Sequence, residues 1–357
     1  MPSGISIKMT KRATMIEVAR LANVATMTVS RVLNGSPHVD PKTATRVNAA
    51  IERLGYRPNE MARALRGAKS RSIGLIVPSL ADPFFATCAH HINAVAQQHG
   101  YSMILTASNG SESIEISEAE WMLQKHVEGL IVCPASAKTS KLSSPLFRRT
   151  PIVSFDRPLQ MPRVASIVVE NGAGAKLGTQ HLIEHDHKRI HFLGDNPEFF
   201  TIQTRYAGYR RAMSEAGLSA HACLEVNSEE IVFDYLKKVL AERNAPTAFF
   251  GGNNWISCYL YRALFRLGLH IPADIAIVGF DDFATADMLH PPLTVIRQPV
   301  EELGRKAAEM LFARLKMDAD EWPDASNRTS LKVELVVRSS CGCKFPSTKK
   351  LSAKSKM

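Results

Sequence analysis

Residues 14–35, TMIEVARLANVATMTVSRVLNG, decide how the N-terminal part of the chain folds. Apolar residues recur at helical spacing up to Ala22, the pattern breaks over 23–25, and it resumes over 26–33. Asn34-Gly-Ser-Pro37 stops the second helix. The stretch therefore predicts two short helices joined by a tight turn, which is the arrangement of a DNA-binding helix-turn-helix.

A third helix follows directly. Asp40-Pro41 places a capping acid before a proline at the first helical position, and Gly55 ends the helix. Val47, Ile51 and Leu54 form its apolar face. Three short helices can share one small core, so we predict an all-α domain over residues 14–57.

The second helix would lie in the major groove. Arg31 can make a bidentate contact to guanine, Met27 can touch a thymine methyl, and Thr26 can reach a base edge or a phosphate. Thr28 and Ser30 are better assigned to phosphate. The alternative interpretation is a small helical subdomain with a solvated basic face.

The charge is unevenly spread over the 357 residues, whose net formal charge is +10. Residues 1–72 carry +9, residues 341–357 carry +5, and the remainder carries −4. A basic head on a mildly acidic body indicates a polyanionic partner for one part of the chain. The lysine-rich segment 341–357 is predicted to be a disordered tail, either attracting DNA nonspecifically or simply solvated.

Composition excludes several classes of protein. No apolar run approaches the roughly 18 residues of a membrane span, and the N-terminus resembles no secretory signal. Six cysteines are too few for a disulfide scaffold, so we expect a cytoplasmic protein without a membrane partner. Cys341 and Cys343 are expected to be reduced thiols near a frayed end.

Signals of catalysis and of metal binding are weak. The chain has neither a G-x-S-x-G elbow nor a Walker A loop. Gly172-Ala-Gly-Ala-Lys-Leu-Gly178 misses the dinucleotide fingerprint by one residue, so close helix–sheet packing is preferred. His181 and His185 could share a helix face, but a zinc site would need a third ligand, so we expect no metal and no cofactor.

Residues 73–340 alternate between apolar strands and amphipathic helices. Such alternation predicts parallel sheets covered on both faces, here in two doubly wound lobes. The lobes are predicted as 73–165 plus 295–325 and 166–292 plus 326–340. The predicted strands are 73–77, 102–106, 129–133, 151–155, 166–169, 190–194, 247–250 and 275–279.

Polar and aromatic residues follow several of these strands, where open parallel sheets bind ligands. Each could be an ordinary loop residue, but together they predict a pocket for a sugar or sugar acid, since carboxylates, amides and arginine bind hydroxyls. The candidates after strands lie in 82–85, 156–157, 253–255 and 281–282, and Arg205 opens a helix.

The residues quoted above carry a resemblance to the lactose-repressor (LacI/GalR) family. Residues 14–35 and Gly55-Tyr-Arg-Pro-Asn59 resemble its head, and Asp82-Pro-Phe-Phe85 and Val278-Gly-Phe-Asp-Asp282 resemble its core. Asn23 and Ala25 depart from its usual turn glycine and the serine before the recognition helix. The resemblance implies a helix-turn-helix head on a periplasmic-binding-protein-like α/β core of two lobes.

The resemblance also implies site residues. Residues 58–71 correspond to a hinge helix and linker that contact operator DNA, with Asn59 in the motif and Leu65 as the wedge in the minor groove. A plain linker with one buried leucine is the alternative. The implied effector contacts, with Trp255 as an unusual bulky neighbour, are Phe84, Phe85, Asp156, Arg205, Asn253, Trp255, Asp281 and Gln298.

These features predict a homodimeric transcriptional repressor of a sugar or sugar-acid operon, not an enzyme. Two heads would bind a near-palindromic operator in double-stranded DNA, and an effector between the lobes would release it. Some relatives of this kind use a corepressor instead. A periplasmic sugar receptor and a sugar-modifying oxidoreductase are the alternatives, opposed by the basic head and the missing fingerprint.

Overall fold

The computed structural model describes residues 13–33, 36–56, 70–136, 141–323 and 328–343. The chain divides into two compact units, Met1–Ser70 and Arg71–Met357. Asn59, Leu65 and the rest of the predicted hinge helix lie outside the described residues.

The head contains the three predicted helices: α1 (Met15–Ala22), α2 (Thr26–Leu33) and α3 (Pro41–Leu54). Thr14 and Glu17 form a capping box at α1, in which the Glu17 amide donates to Thr14 Oγ1 over 3.3 Å. The carboxylate of Asp40 accepts from the Thr43 amide over 3.0 Å and caps α3. Asn23 ends α1 in the left-handed region at φ 52°, as expected of a residue that replaces a turn glycine.

The head's core is small and apolar. The second helix contributes Val29, which is fully buried, to the same cluster as Val18 and Val47. Tyr56 closes the cluster after α3. Because the core takes one face of α2, the opposite face is left for solvent or a partner.

The body contains two six-stranded sheets, each flanked by helices. The first has the strand order β11-β5-β4-β3-β1-β2, and all of its strands are parallel. Its strands are β1 (Ser72–Val77), β2 (Ser102–Ala107), β3 (Gly129–Val132), β4 (Ile152–Phe155), β5 (Ala165–Val169) and β11 (Arg328–Leu331), and its helices are α4 (Pro83–Gln98), α5 (Glu112–Gln124) and α10 (Val300–Arg314).

The second sheet has the order β12-β10-β9-β8-β6-β7, and β12 alone runs antiparallel to its neighbour. Its strands are β6 (Ile190–Leu193), β7 (His221–Cys223), β8 (Ala248–Gly251), β9 (Ala276–Phe280), β10 (Thr294–Arg297) and β12 (Glu334–Val336). Its helices are α6 (Asn171–Glu184), α7 (Phe200–Glu215), α8 (Glu229–Leu240) and α9 (Asn254–Arg266). No helix in the described part of the chain is long and apolar enough to span a bilayer.

The chain passes between the lobes three times: after β5, after β10, and between β11 and β12. The predicted boundaries at 165, 292 and 325 are therefore wrong by a few residues. Strand β5 pairs with β4 in the first lobe, β10 pairs with β9 in the second, and β11 returns to β5. Apolar patterning marks a buried strand, but it carries no information about which sheet the strand joins.

Glycine allows the first two helices of the second lobe to approach closely. A Cβ on Gly208 of α7 would collide with the backbone carbonyl of Gly172 in α6. Gly174 and Gly178 of α6 likewise face side chains of the sheet. The glycine-rich segment is thus a packing feature, as the sequence predicts.

The predicted start of the disordered tail, residue 341, lies too early in the sequence. Cys341 is fully buried in the second lobe, and its thiol accepts a hydrogen bond from Thr294 Oγ1 at 3.1 Å. Ser340, also fully buried, donates its hydroxyl to the Ile277 carbonyl over 2.7 Å. Residues 341–343 therefore belong to the body, and residues 344–357 lie outside the described part.

Candidate functional site

The recognition helix α2 presents the predicted DNA-reading side chains outward. Thr26, Met27 and Arg31 are exposed, and 64% of the surface of Met27 is accessible. Thr28 and Ser30 are half-buried beside the fully buried Val29. An exposed apolar side chain next to an exposed arginine suits contacts with base edges, and the half-buried hydroxyls suit phosphate contacts.

In the body, four of the predicted ligand-binding residues, Asp156, Asn253, Asp281 and Gln298, follow the carboxyl ends of strands, whereas Phe84, Phe85, Arg205 and Trp255 lie in helices. Asp156 directly follows β4 and Asp281 directly follows β9, both with left-handed backbones at φ 63° and 75°. Asn253 follows β8 and caps α9, where its side-chain oxygen accepts from the Ile256 amide over 2.9 Å. Left-handed aspartates at two strand ends aim carboxylates away from the strands, as often occurs in binding sites.

Arg205 is the most firmly held polar side chain of this region, and it is only 3% exposed. Its Nε donates to Asn171 Oδ1 over 2.7 Å, and its Nη1 donates to the Gly252 carbonyl over 2.8 Å. The same nitrogen lies 3.5 Å from the Asp281 carboxylate, and the guanidinium lies 3.7 Å from the centre of the Phe280 ring. The guanidinium is thus fixed before any ligand arrives.

Asp281 connects Arg205 with Gln298, which lies where the chain returns to the first lobe. It accepts a hydrogen bond from the Gln298 side chain, which follows β10 and is 4% exposed. Its neighbour Asp282 has a different role: it accepts from Arg297 and from Arg338, and Arg338 Nη2 lies 2.9 Å away. Burial alone would raise the pKa of Asp282, but Arg338 and Arg297 lower it below its ordinary value. Asp282 thereby anchors the C-terminal segment that contains Arg338.

A cross-lobe clasp connects the two lobes at the cleft. Its acceptor is Asp82, which caps α4 in the first lobe through the Phe84 amide at 3.0 Å. From the second lobe, Asn254 Nδ2 donates to Asp82 Oδ1 over 3.0 Å and Trp255 Nε1 donates to Asp82 Oδ2 over 3.2 Å. These bonds join the two lobes across the cleft, so they stabilise this arrangement of the lobes.

Two arginine–aromatic contacts also cross between the lobes. The guanidinium of Arg157, in the first lobe, lies 3.9 Å from the ring centre of Phe199. That of Arg328 lies 4.6 Å from the ring centre of Phe200, at the start of α7. Arg157 also donates to the Pro134 carbonyl over 3.2 Å and lies 3.7 Å from Asp156. The face of the second lobe is thereby packed against a cationic face of the first.

Burial raises the pKa of three carboxyl groups at the cleft: Asp82, Asp156 and Asp195. Arg157 and Arg205 lower the pKa of Asp156, whereas the nearby Asp281 raises it. The charges of both lobes therefore act on one another across the cleft. The result is a compact arrangement of carboxylates and two fixed guanidinium groups.

A cavity of about 850 Å³ adjoins this arrangement. Its lining includes four predicted residues or their neighbours: Phe84, Asn254, Asp281 and Gln298. A volume of this size is in the range of small-molecule sites. Asp156, Arg205 and Asn253 do not line this cavity. The predicted ligand-binding residues are therefore divided between the cavity and the adjoining cleft.

One predicted contact lies mainly in a core. Phe85 is 7% exposed and packs edge-on against Phe155 in the first lobe, with ring centres 6.3 Å apart. Phe84 is half-buried and borders the cavity. Adjacent helix residues point in different directions, which explains why only one of the two faces the cleft.

Sequence reasoning missed two residues of this region. Asp195 follows β6 and accepts from Asn253 Nδ2 over 3.1 Å, and Asn171 orients Arg205. The strand-end rule could have found Asp195, because it follows Leu193 and Gly194 directly. Asn171 had no such signal, because it directly precedes the glycine-rich segment 172–178, which resembles a dinucleotide-binding loop without matching it.

A helix-turn-helix head and a two-lobed core with a closable cleft, in one chain, define a ligand-responsive DNA-binding regulator. Residues 14–59 match the family model described as bacterial regulatory proteins, lacI family. Residues 179–341 match the model of the periplasmic binding protein-like domain. The chain belongs to the LacI family of bacterial regulatory proteins.

Relatives of known function cover most of the chain. It is 33% identical to the ribose operon repressor of Escherichia coli (strain K12), over 85% of this chain and 93% of the relative. It is 32% identical to the HTH-type transcriptional repressor PurR of Pasteurella multocida (strain Pm70), over 92% of this chain and 98% of the relative. These relatives are transcriptional repressors.

Solved structures agree with this fold. The lac repressor dimer bound to operator and the anti-inducer ONPF has a TM-score of 0.80 and 27% identity, and the match covers 93% of this chain and 99% of that one. The transcriptional regulator CelR in complex with cellobiose has a TM-score of 0.66 and 28% identity, covering 92% and 100% of the two chains. The predicted fold class is therefore confirmed.

Proposed function

We propose that this regulator is a homodimeric repressor of a sugar operon, released from its operator by a sugar that binds between the lobes. The clasp of Asp82 with Asn254 and Trp255 carries the proposal, because it provides bonds that depend on lobe closure. A ligand that favours closure shifts the populations of the two arrangements, and ligand and operator then weaken each other's binding by the same factor.

The charges of the cleft favour a neutral sugar over a sugar acid. Four carboxyl groups lie near two guanidinium groups; Arg205 donates to Asn171 and Gly252, and Arg157 donates from Nη1 to the Pro134 carbonyl. A ligand carboxylate would add negative charge where burial already raises the pKa of three acids. Hydroxyl groups, in contrast, can donate to these carboxylates without adding charge. The carboxyl groups are those of Asp82, Asp156, Asp195 and Asp281.

The names of relatives support this choice. One relative represses a ribose operon, and the solved structure of CelR contains cellobiose. A thermal-shift screen should compare neutral pentoses, hexoses and disaccharides with their aldonic acids. A neutral sugar at a hundred times its dissociation constant should stabilise the fold by about 2.7 kcal/mol. Stabilisation by aldonic acids alone would contradict the neutral-sugar assignment.

The same sugar should then be tested on operator DNA. Fluorescence anisotropy with a near-palindromic operator should show release of the protein when the neutral sugar is added. Tighter binding on addition of the sugar would make it a corepressor and would contradict release. The regulator would act in the cytoplasm, where chromosomal DNA and imported sugars meet.

The hinge assignment concerns residues outside the described part of the chain, and its test is Leu65→Ala. If Leu65 wedges between bases only in bent operator DNA, the variant should lose operator affinity while nonspecific DNA affinity is retained. Arg20→Ala removes one positive charge from an exposed position of α1 and serves as the comparison variant. Equal losses on both DNAs for Leu65→Ala would contradict the hinge assignment.

The dimer can be tested without a ligand. The lac repressor neighbour is described as a dimer, and two heads are needed for the two halves of a near-palindromic site. Residues 341–357 contain few large apolar side chains, and a leucine zipper needs such side chains at regular intervals. Light scattering at micromolar concentration should give a dimer, and a tetramer would contradict this expectation.

A further inference from the structure

Three potential metal ligands meet at the C-terminal end of the described chain. His181 lies in the last turn of α6, His185 caps the C-terminus of that helix, and Cys343 lies against both. The Cys343 Sγ is 2.8 Å from His185 Nε2 and 3.6 Å from His181 Nε2. The three ligand atoms all lie within 4.8 Å of one another. Cys343 lies about 160 positions after the two histidines, so only the fold brings it to them.

The distances suit a tetrahedral zinc ion. Zinc–sulfur and zinc–nitrogen bonds of about 2.3 and 2.0–2.1 Å imply a sulfur–nitrogen edge of about 3.6 Å in a tetrahedron. The Cys343–His181 separation already equals this edge. The Cys343–His185 separation is shorter because it is a direct hydrogen bond, and both groups are accessible enough to separate by less than 1 Å.

The ring of His185 is already oriented as a ligand. Its Nδ1 lies 2.8 Å from the carbonyl oxygen of His181, which can only accept, so Nδ1 carries the proton. The lone pair of the neutral ring is therefore on Nε2, which faces Cys343. A backbone carbonyl that fixes the tautomer in this way is a common second partner of metal-bound histidines.

The neighbouring Cys341 thiol has other partners. It accepts a hydrogen bond from Thr294 Oγ1 over 3.1 Å and donates to the Arg338 carbonyl over 3.6 Å, and it is fully buried in the second lobe. Cys341 therefore holds residues 341–343 in place beside the two histidines, and Cys343 supplies the sulfur of the cluster.

We propose that His181, His185 and Cys343 bind a zinc ion that fastens the end of the core to α6, with water in the fourth position. Cysteine thiolate and histidine imidazole are ligand types that tetrahedral zinc uses. The two histidines have the spacing H-x₃-H, and none of the three ligands lines the cavity beside the ligand cleft. It is a structural clip for residues 341–343, separate from effector binding.

The experiment uses the full chain, kept reduced with a phosphine and stripped of metal with a chelator. Titration with cobalt(II) alone should give thiolate-to-cobalt charge-transfer absorption that saturates at one ion per chain, and zinc should remove it. Zinc should also raise the thermal midpoint of the metal-free protein. Elemental analysis after dialysis should find one zinc per chain.

Two variants and two controls make the test specific. Cys343→Ser should lose the thiolate absorption, and His185→Gln, at an exposed position, should lose stoichiometric binding without loss of fold. Cys258→Ser and His90→Gln remove the same residue types outside the cluster and should bind cobalt as the unchanged protein does. Folded, reduced protein that binds no cobalt would overturn the proposal, and so would unchanged binding by both cluster variants.

Discussion

The cross-lobe clasp allows a quantitative prediction about ligand affinity. The perturbation is the double variant Asn254→Ala/Trp255→Phe, which removes both donors but keeps Asp82 as the cap of α4. Removing donors is informative because they lower the pKa of Asp82 against the effect of burial. Without them, closure would bury a carboxylate with fewer partners.

The expected loss follows from the exposure of the two bonds. Asn254 is 6% exposed, so its bond to a carboxylate should be worth about 1.5 kcal/mol. Trp255 is 42% exposed, so water competes and its bond should contribute about 0.5 kcal/mol. The sum of about 2 kcal/mol corresponds to a factor of about 30 in the closing equilibrium.

A protein controlled by closure must rest mostly open, so the apparent dissociation constant should rise by nearly this whole factor. Isothermal titration calorimetry with the neutral sugar from the screen measures it, and small-angle scattering should detect less closure with ligand. Trp121→Phe is the matched control, because Trp121 is 41% exposed and lies over Lys125, away from the clasp. It should bind the sugar with unchanged affinity.

An unchanged dissociation constant in the double variant would refute the reasoning. It would mean that the bonds to Asp82 are equally available when the lobes are open, or that ligand binding does not use this closed arrangement. A loss shared equally by Trp121→Phe would also refute it, since the effect would then come from general destabilisation.

Three further changes test other parts of the molecule. Arg205→Lys keeps the charge but not the planar fork, so a reporter assay should show loss of the sugar response with operator affinity unchanged; a retained response would contradict its role. Gly208→Ala should lower the free energy of unfolding by about 1–3 kcal/mol, because the new Cβ collides with the Gly172 carbonyl. Denaturant unfolding with an unchanged midpoint would contradict this expectation and show that the helices separate easily. Burial raises the pKa of Glu115 from 4.5 to about 7 in the folded protein, so the free energy of unfolding should fall as pH rises through this window, by about 3 kcal/mol in total. Glu115→Gln should abolish that fall, and parallel pH profiles for the two proteins would contradict the assignment.

Local patterns predicted the elements of the fold well where each element carries its own signal. Asp40-Pro41 and Gly55 bound α3 as expected, and the apolar runs before Asp156 and Asp281 are strands. The strands β7, β10, β11 and β12 were not predicted, because their sequences HAC, TVIR, RTSL and ELV lack the longer apolar runs of the predicted strands. Which lobe each strand joins depends on long-range pairing.

The positions of several candidate site residues in the fold were predicted for a similar reason. The rule that ligands bind at the ends of parallel strands located Asp156, Asn253 and Asp281 without knowledge of the sheet order. It could not indicate that Asn254 and Trp255 bond to Asp82, since that contact joins residues of different lobes. The sequence could not indicate that Cys343 lies beside His181 and His185 for the same reason, because Cys343 is remote in sequence.

The three passages of the chain between the lobes have a consequence for how such a protein can change over generations. Neither lobe is encoded by one continuous stretch, so a single recombination event cannot replace one lobe and leave the other whole. The head, in contrast, is one continuous segment that ends before the first strand of the body. One junction near residue 70 is enough to join a different operator reader to this sensor, whereas exchange of one lobe alone would need several junctions within the body.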